Sequence, residues 1–241
     1  MKKVVLVGNP NVGKSLLFSR ITGTGTVTAN YAGTTVDTKT RKIKYGDMIY
    51  ELVDGPGIYS LDQFSQLGKD VLNIIEDSDI IVNIVDATNL ERNLNLTLQL
   101  LQIGKPMLVC LNFWDDTVHN GIIIDISMLE NILGIPVVAV SALHNEGIEK
   151  LVASLQKASI GSMKYDAENH WNQIGDIVSK IQILEHRHHT SFERFSDFTL
   201  HPVGGIVTAV AVLLATLIIV RFMGEGLING LLDPFYTNIY A

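Results

Sequence analysis

The octapeptide GNPNVGKS at residues 8–15 constrains this chain most, because it follows directly on the β-branched run Val4–Val7 and leads into a helical pattern. It fits GxxxxGK[ST], a strand–loop–helix device whose backbone N–H groups form an anion nest at a helix N-terminus. Gly8 and Gly13 let the backbone turn tightly around phosphate oxygens, and Asn9, Pro10, Asn11 and Val12 complete the loop. Lys14 is placed to reach terminal phosphates, and the Ser15 hydroxyl to ligate Mg2+. A nucleotide is the expected ligand.

The pattern beyond the loop supports the fold that such a device needs. Short apolar runs at Lys3–Val7, Lys39–Tyr45, Met48–Asp54, Ile80–Asp86, Pro106–Asn112 and Pro136–Ser141 read as strands. Between them, Ser15–Ile21, Gln66–Glu76, Asn93–Ile103, Met128–Leu133 and Gly147–Lys157 read as helices. Continuous apolar strands belong to sheets covered on both faces, and strand–helix alternation predicts an α/β fold with a mostly parallel sheet. Lys39–Tyr45 and Met48–Asp54, joined at Gly46-Asp47, form an antiparallel edge hairpin. This first domain is expected over residues 1–158. Its single cysteine, Cys110, lies in the run MLVCL as an inert core residue.

Later residues select the nucleotide. DGPG at 54–57 ends a strand and supplies Asp54 to the Mg2+ shell and the Gly57 N–H to a γ-phosphate. GTTVD at 33–37 (Gly33, Thr34, Thr35) offers a threonine that closes over Mg2+: Thr35, or failing it Thr34. In NFWD at 112–115, Asp115 can accept both N1–H and N2–H2 of guanine, a donor pair that adenine lacks, while Asn112 braces the base edge and the phosphate loop. Ser141, Ala142 and Leu143 follow the last strand and can bring a backbone N–H to guanine O6. Order and spacing are those of a P-loop GTPase. Phe113 occupies the second place of NKxD, where lysine is usual, and Ile58 stands where a water-orienting glutamine follows DxxG, so slow intrinsic hydrolysis is expected. The Gly- and Thr-rich residues 24–38 and the stretch Gly57–Gly68 suit two switch loops.

Residues 159–202 are polar and His-rich and read as a small helical spacer. Trp171, Ile174, Ile177, Val178, Ile181 and Leu184 recur at helical spacing, as in a helix packed on the first domain. The cluster His186-Arg187-His188-His189 lacks an acidic or Cys partner at ligand spacing and reads as a solvated loop. Val203–Val220 then gives 18 residues without charge, enough to cross about 30 Å of hydrocarbon, so 203–222 is expected as a transmembrane helix and 223–241 as a post-membrane segment of a longer chain. Lys180, Arg187 and Arg194 precede this span and only Arg221 follows, which places the first domain in the cytoplasm. With 18 Lys+Arg against 25 Asp+Glu, a nucleic-acid partner is disfavoured.

GNPNVGKS, NYAGTTVD at 30–37, DGPGIYSL at 54–61 and above all VDATNLERNLNLTLQLL at 85–101 resemble the ferrous iron transport protein B (FeoB) family. LNFWD at 111–115, GIIID at 121–125, LGIPVVAVSA at 133–142 and HPVGG at 201–205 add to the resemblance. It implies a cytosolic GTPase joined through a helical spacer to a multi-span domain in the plasma (inner) membrane, with GTP hydrolysis gating or regulating Fe2+ uptake. It also implies that Asn11 helps hold a K+ ion beside the phosphates, so that Asn11, Lys14, Thr35 and Gly57 share the catalytic work. DGPG stands where the family often has DLPG. One span encloses no pathway, so transport requires a homo-oligomer or further membrane domain. The alternative is a membrane-anchored guanine-nucleotide switch that regulates a partner and carries no iron.

Overall fold

The computed structural model describes residues 1–23, 27–30, 37–61, 65–184, 196 and 198–228. Two compact units divide at Arg187 and His188.

The first unit is built on a seven-stranded sheet of order β2-β3-β4-β1-β5-β6-β8. Its strands are β1 (Lys2–Gly8), β2 (Val27–Asn30), β3 (Asp37–Tyr45), β4 (Met48–Gly57), β5 (Ile80–Asp86), β6 (Met107–Asn112) and β8 (Val137–Ala139). From β4 to β8 every pairing is parallel, and β3 runs antiparallel to both β2 and β4. The helices are α1 (Lys14–Thr22), α2 (Gln66–Glu76), α3 (Leu90–Leu101), α4 (Trp114–His119), α5 (Ile126–Leu133), α6 (Ile148–Ser154) and α7 (His170–Ile181). Successive side chains of a strand point to opposite faces, and both faces are buried here. Val5 and Val7 pack with Ile74, Leu94 and Leu129 on one side, while Val4 and Leu6 pack with Leu17, Phe18 and Leu151 on the other. Full burial of each such side chain contributes about 1.5–3 kcal/mol. The α/β expectation therefore holds, and it places the ends of β1, β4, β6 and β8 along one edge of the sheet, where ligands of such folds bind.

Several elements differ from expectation. β2 lies inside the stretch expected to be a switch loop, because Val27–Asn30 pairs with Thr40–Asp37 as an edge strand. The amphipathic helix ends at Ile181 rather than Leu184, since Gln182–Leu184 (β9) pairs antiparallel with Ile122–Ile124 (β7) in a second small sheet. Leu184 is consequently exposed. Ile174, Ile177 and Ile181 are buried in the first unit's core, so this unit continues past the boundary expected at 158 and runs to Arg187. Residues 186–189 lie outside the described residues, as do Gly33, Thr34 and Thr35 of the first switch.

In the second unit, α8 (Pro202–Leu227) begins with proline in its first turn, where a missing N–H is harmless. Its most apolar 18 residues have a mean hydropathy of 2.7, and Pro202–Gly226 is long enough to cross a membrane. The helix continues beyond the expected end at 222, and Arg221, inside the expected span, donates from Nε to Glu225 Oε1 of the added turn at 2.8 Å.

Candidate functional site

The loop between β1 and α1 curls because two residues take the left-handed backbone, Asn11 at φ 65° and Gly13 at φ 85°. At Gly13 a side chain would be strained by the left-handed backbone and would displace the Asn112 brace, since a Cβ would lie 2.4 Å from Asn112 Nδ2. Lys14 folds back over the loop and donates to the carbonyls of Gly8 (3.2 Å) and Asn9 (3.0 Å). Burial pushes its ammonium below the usual lysine range, with the Asp54 carboxylate opposing that shift. A cation held by carbonyls, in a place that disfavours its charge, is poised to gain from an incoming polyphosphate.

Asp54 faces the loop from β4. Ser15 Oγ donates to its Oδ2 at 2.8 Å, while Oδ1 is buried without a hydrogen-bond partner. Burial raises the Asp54 carboxyl above the ordinary range, against the Ser15 hydrogen bond and the charges of Lys14 and Lys39. One hydroxyl and one carboxylate with an unused oxygen form a hard-oxygen donor set suited to Mg2+. Pro10, Asn11, Lys14, Ser15, Lys39 and Gly57 border this cavity of about 430 Å3. Gly57 packs close to the loop, for a Cβ there would approach Pro10 Cα to 3.0 Å and Lys14 Nζ to 3.1 Å. Ile58, by contrast, turns into the core and donates its N–H to Gly8 O, so its side chain cannot reach water in the cavity.

The base side is assembled by Asn112, which is buried at the end of β6. Its Nδ2 donates to Val12 O at 2.9 Å, and its Oδ1 accepts from Ala142 N at 3.0 Å. One amide therefore fastens the phosphate loop to the loop after β8. Phe113 then takes the left-handed backbone (φ 61°) and starts α4, setting Asp115 in its first turn. Asp115 Oδ1 is buried without a partner, and Oδ2 lies 3.4 Å from His144 Nε2. Ser141 is buried, and its main chain closes the loop by pairing with Glu146 in both directions.

Gly8 through Ser15, Asp54, Gly57, Asn112, Asp115 and Ser141 through Leu143 thus meet along the edge predicted for them. Sequence reasoning missed three supports. Arg20 donates from Nε to Ala142 O and from its guanidinium NH2 group to Leu143 O, each at 3.0 Å, and no local pattern announces it. Lys39 had a readable signal: pairing Tyr45 with Met48 and counting back along the hairpin puts it opposite Asp54, its register partner. Gln99 of α3 accepts from Leu61 N at 2.7 Å, and its Nε2 donates to Tyr165 OH at 3.4 Å, linking the strand-exit segment to the chain before α7.

The comparisons with known proteins agree with this geometry. The chain is 40% identical over 166 residues to the Fe(2+) transporter FeoB of Legionella pneumophila (strain Paris), covering 66% of this chain and 22% of that protein. It therefore spans about a fifth of that relative's length. The solved cytosolic domain of L. pneumophila FeoB superposes with a TM-score of 0.68 at 30% identity, over 75% of this chain and 99% of that one. The cytosolic domain of T. maritima FeoB in its GMPPNP form gives 0.65 at 32% identity, over 74% and 73%. Residues 2–155 match the family model described as "Ferrous iron transport protein B", and the chain belongs to that family, as its P-loop GTPase domain.

Proposed function

We propose that this chain is the GTP-binding and GTP-hydrolysing cytosolic head of a multi-pass ferrous iron transporter of the plasma (inner) membrane, and that hydrolysis gates or regulates Fe2+ uptake. The observation that carries the nucleotide reading is the pair of hydrogen bonds made by Asn112, which ties the phosphate loop to the Ser141–Leu143 loop and leaves the Asp115 carboxylate beside them. Relatives solved in GDP and GMPPNP forms support it. Asp115 accepts N1–H and N2–H2 of guanine, Asn112 keeps both walls in place, and a backbone N–H of the Ser141–Leu143 loop meets O6.

Phosphoryl transfer at such a site is mostly positioning and charge neutralisation. Lys14 reaches the terminal phosphates, and the loop N–H groups from Asn11 to Ser15 hold their oxygens. Ser15, Asp54 and, on the switch, Thr35 or Thr34 near Gly33 are the groups that would hold Mg2+, which when bound neutralises charge on the β- and γ-phosphates. The Gly57 N–H meets the γ-phosphate. Asn11, exposed at the mouth of the cavity, is the group that would hold K+ beside the phosphates. With Ile58 buried, the attacking water is held by other groups, and unassisted hydrolysis is slow.

The spacer of residues 159–202 reads the switch. Gln99 supports this, since it bonds to Leu61 on one side and Tyr165 on the other. Residues 203–222 anchor the head in lipid, with residues 223–241 beyond them, and the iron pathway belongs to a further membrane domain or to a homo-oligomer. Nucleotide titration tests the reading. GDP and GTP should bind in Mg2+ while ADP does not, and D115N should gain affinity for xanthosine diphosphate, whose base offers an oxygen where guanine has N2–H2. Equal binding of GDP and ADP would overturn it.

A further inference from the structure

Guanine demands two acceptors in one plane, yet a carboxylate on a short surface helix rotates freely about its last bond unless something grips it. Serine at the start of the loop after β8 is one candidate grip. Here Ser141 Oγ accepts from His144 N at 3.2 Å and makes no hydrogen bond to Asp115. The side chain that reaches Asp115 is His144, with Nε2 at 3.4 Å from Oδ2. The backbone on both sides of that imidazole is restrained: Ser141 N donates to Glu146 O and Glu146 N to Ser141 O, at 3.1 and 3.0 Å. The opposite oxygen, Oδ1, is buried and has no protein partner.

We propose that His144 is a positioning residue for guanine recognition, fixing the plane of the Asp115 carboxylate so that both oxygens meet the base. The inference rests on reading Asp115 as the guanine acceptor. An ionised carboxylate offers about four lone-pair directions. The imidazole lies against one side of Oδ2, with Nε2 at 3.4 Å, which leaves the other side for one guanine donor and all of Oδ1 for the other. Holding the carboxylate before the base arrives removes an ordering cost from binding, and that gain is largest for a ligand that uses both oxygens.

Two bases separate this role from a merely structural one. Guanine carries N1–H and N2–H2, whereas hypoxanthine keeps N1–H and lacks the amino group. The experiment is calorimetric titration of the full chain in detergent micelles with GDP, inosine diphosphate and ADP, comparing the unaltered protein with His144→Ala and His144→Gln. Loss of one half-exposed contact should weaken GDP about two- to five-fold in His144→Ala. Inosine diphosphate should weaken less, so the ratio of the two affinities falls. His144→Gln, whose amide N–H can reach the same oxygen, should restore the ratio. Equal weakening of both nucleotides, or an unchanged GDP affinity, would overturn the role of His144. Failure of the unaltered chain to prefer GDP over ADP would instead overturn the guanine reading, and the inference with it.

Discussion

Replacing Asn112 by alanine tests the brace that joins the two halves of the site. The amide is 1% exposed and makes two bonds, to Val12 O at 2.9 Å and from Ala142 N at 3.0 Å. Alanine leaves a carbonyl and an N–H buried without partners, each costing about 1–3 kcal/mol. The expected loss is therefore about 2–6 kcal/mol, a large share of the about 5–15 kcal/mol that holds a domain together. With a urea slope of about 2 kcal/mol/M, the midpoint should fall by about 1–3 M. Urea unfolding followed by circular dichroism reads this, with and without GDP. Because both loops are released, GDP should also protect the variant less than the unaltered chain. N112D separates the two bonds: its carboxylate still accepts from Ala142 N but faces Val12 O with no donor, so it should be at least as destabilised as N112A. A midpoint change below about 0.3 M in N112A, with GDP protection intact, would refute the brace.

Three further outcomes follow from the same geometry. Asp54 is raised above the ordinary carboxylate range by burial, so nucleotide-free stability should fall as pH rises through its folded-state value. D54N should lose that dependence, gain stability at neutral pH and lose Mg2+-dependent nucleotide binding; thermal melts across pH and an Mg2+ titration check both. R20A removes two 3.0 Å bonds to Ala142 O and Leu143 O, and at about 1 kcal/mol should speed GDP dissociation about five-fold in a stopped-flow chase. Hydrolysis should be faster in K+ than in Na+, and N11A should abolish the difference; equal rates in the two buffers would remove K+ from the account.

Where local chemistry and tertiary packing agree, the chain was readable. Gln66–Glu76 and Ile80–Asp86 form the helix and strand expected from their periodicity, and the hairpin at Gly46-Asp47 has the expected antiparallel pairing. The phosphate loop was legible because Gly8, where a Cβ would lie 2.3 Å from Ile84 O, and Gly13, at φ 85°, both disfavour other residues. What was missed depends on partners distant in sequence. Val27–Asn30 is a strand only because β3 lies beside it. Helical spacing continues through Gln182–Leu184 with no Gly or Pro to stop it, yet Ile122–Ile124 draws these residues into a sheet. α4 has six residues, too few for a periodic signal, and begins at a left-handed Phe113 that no propensity foretells. Arg20, Gln99 and His144 are ordinary surface residues locally, and their contacts span sequence distances that pattern alone does not bridge. Lys39 is the exception, since register along a tight hairpin would have found it.

The central claim is that this head hydrolyses GTP through a site that recognises guanine and needs Mg2+. Phosphate release by the full chain should be measured with GTP and with ATP, each in Mg2+ and in EDTA. The account predicts slow release from GTP in Mg2+ and none above background in the other three conditions. Equal release from ATP, or release from GTP that persists in EDTA, would contradict it.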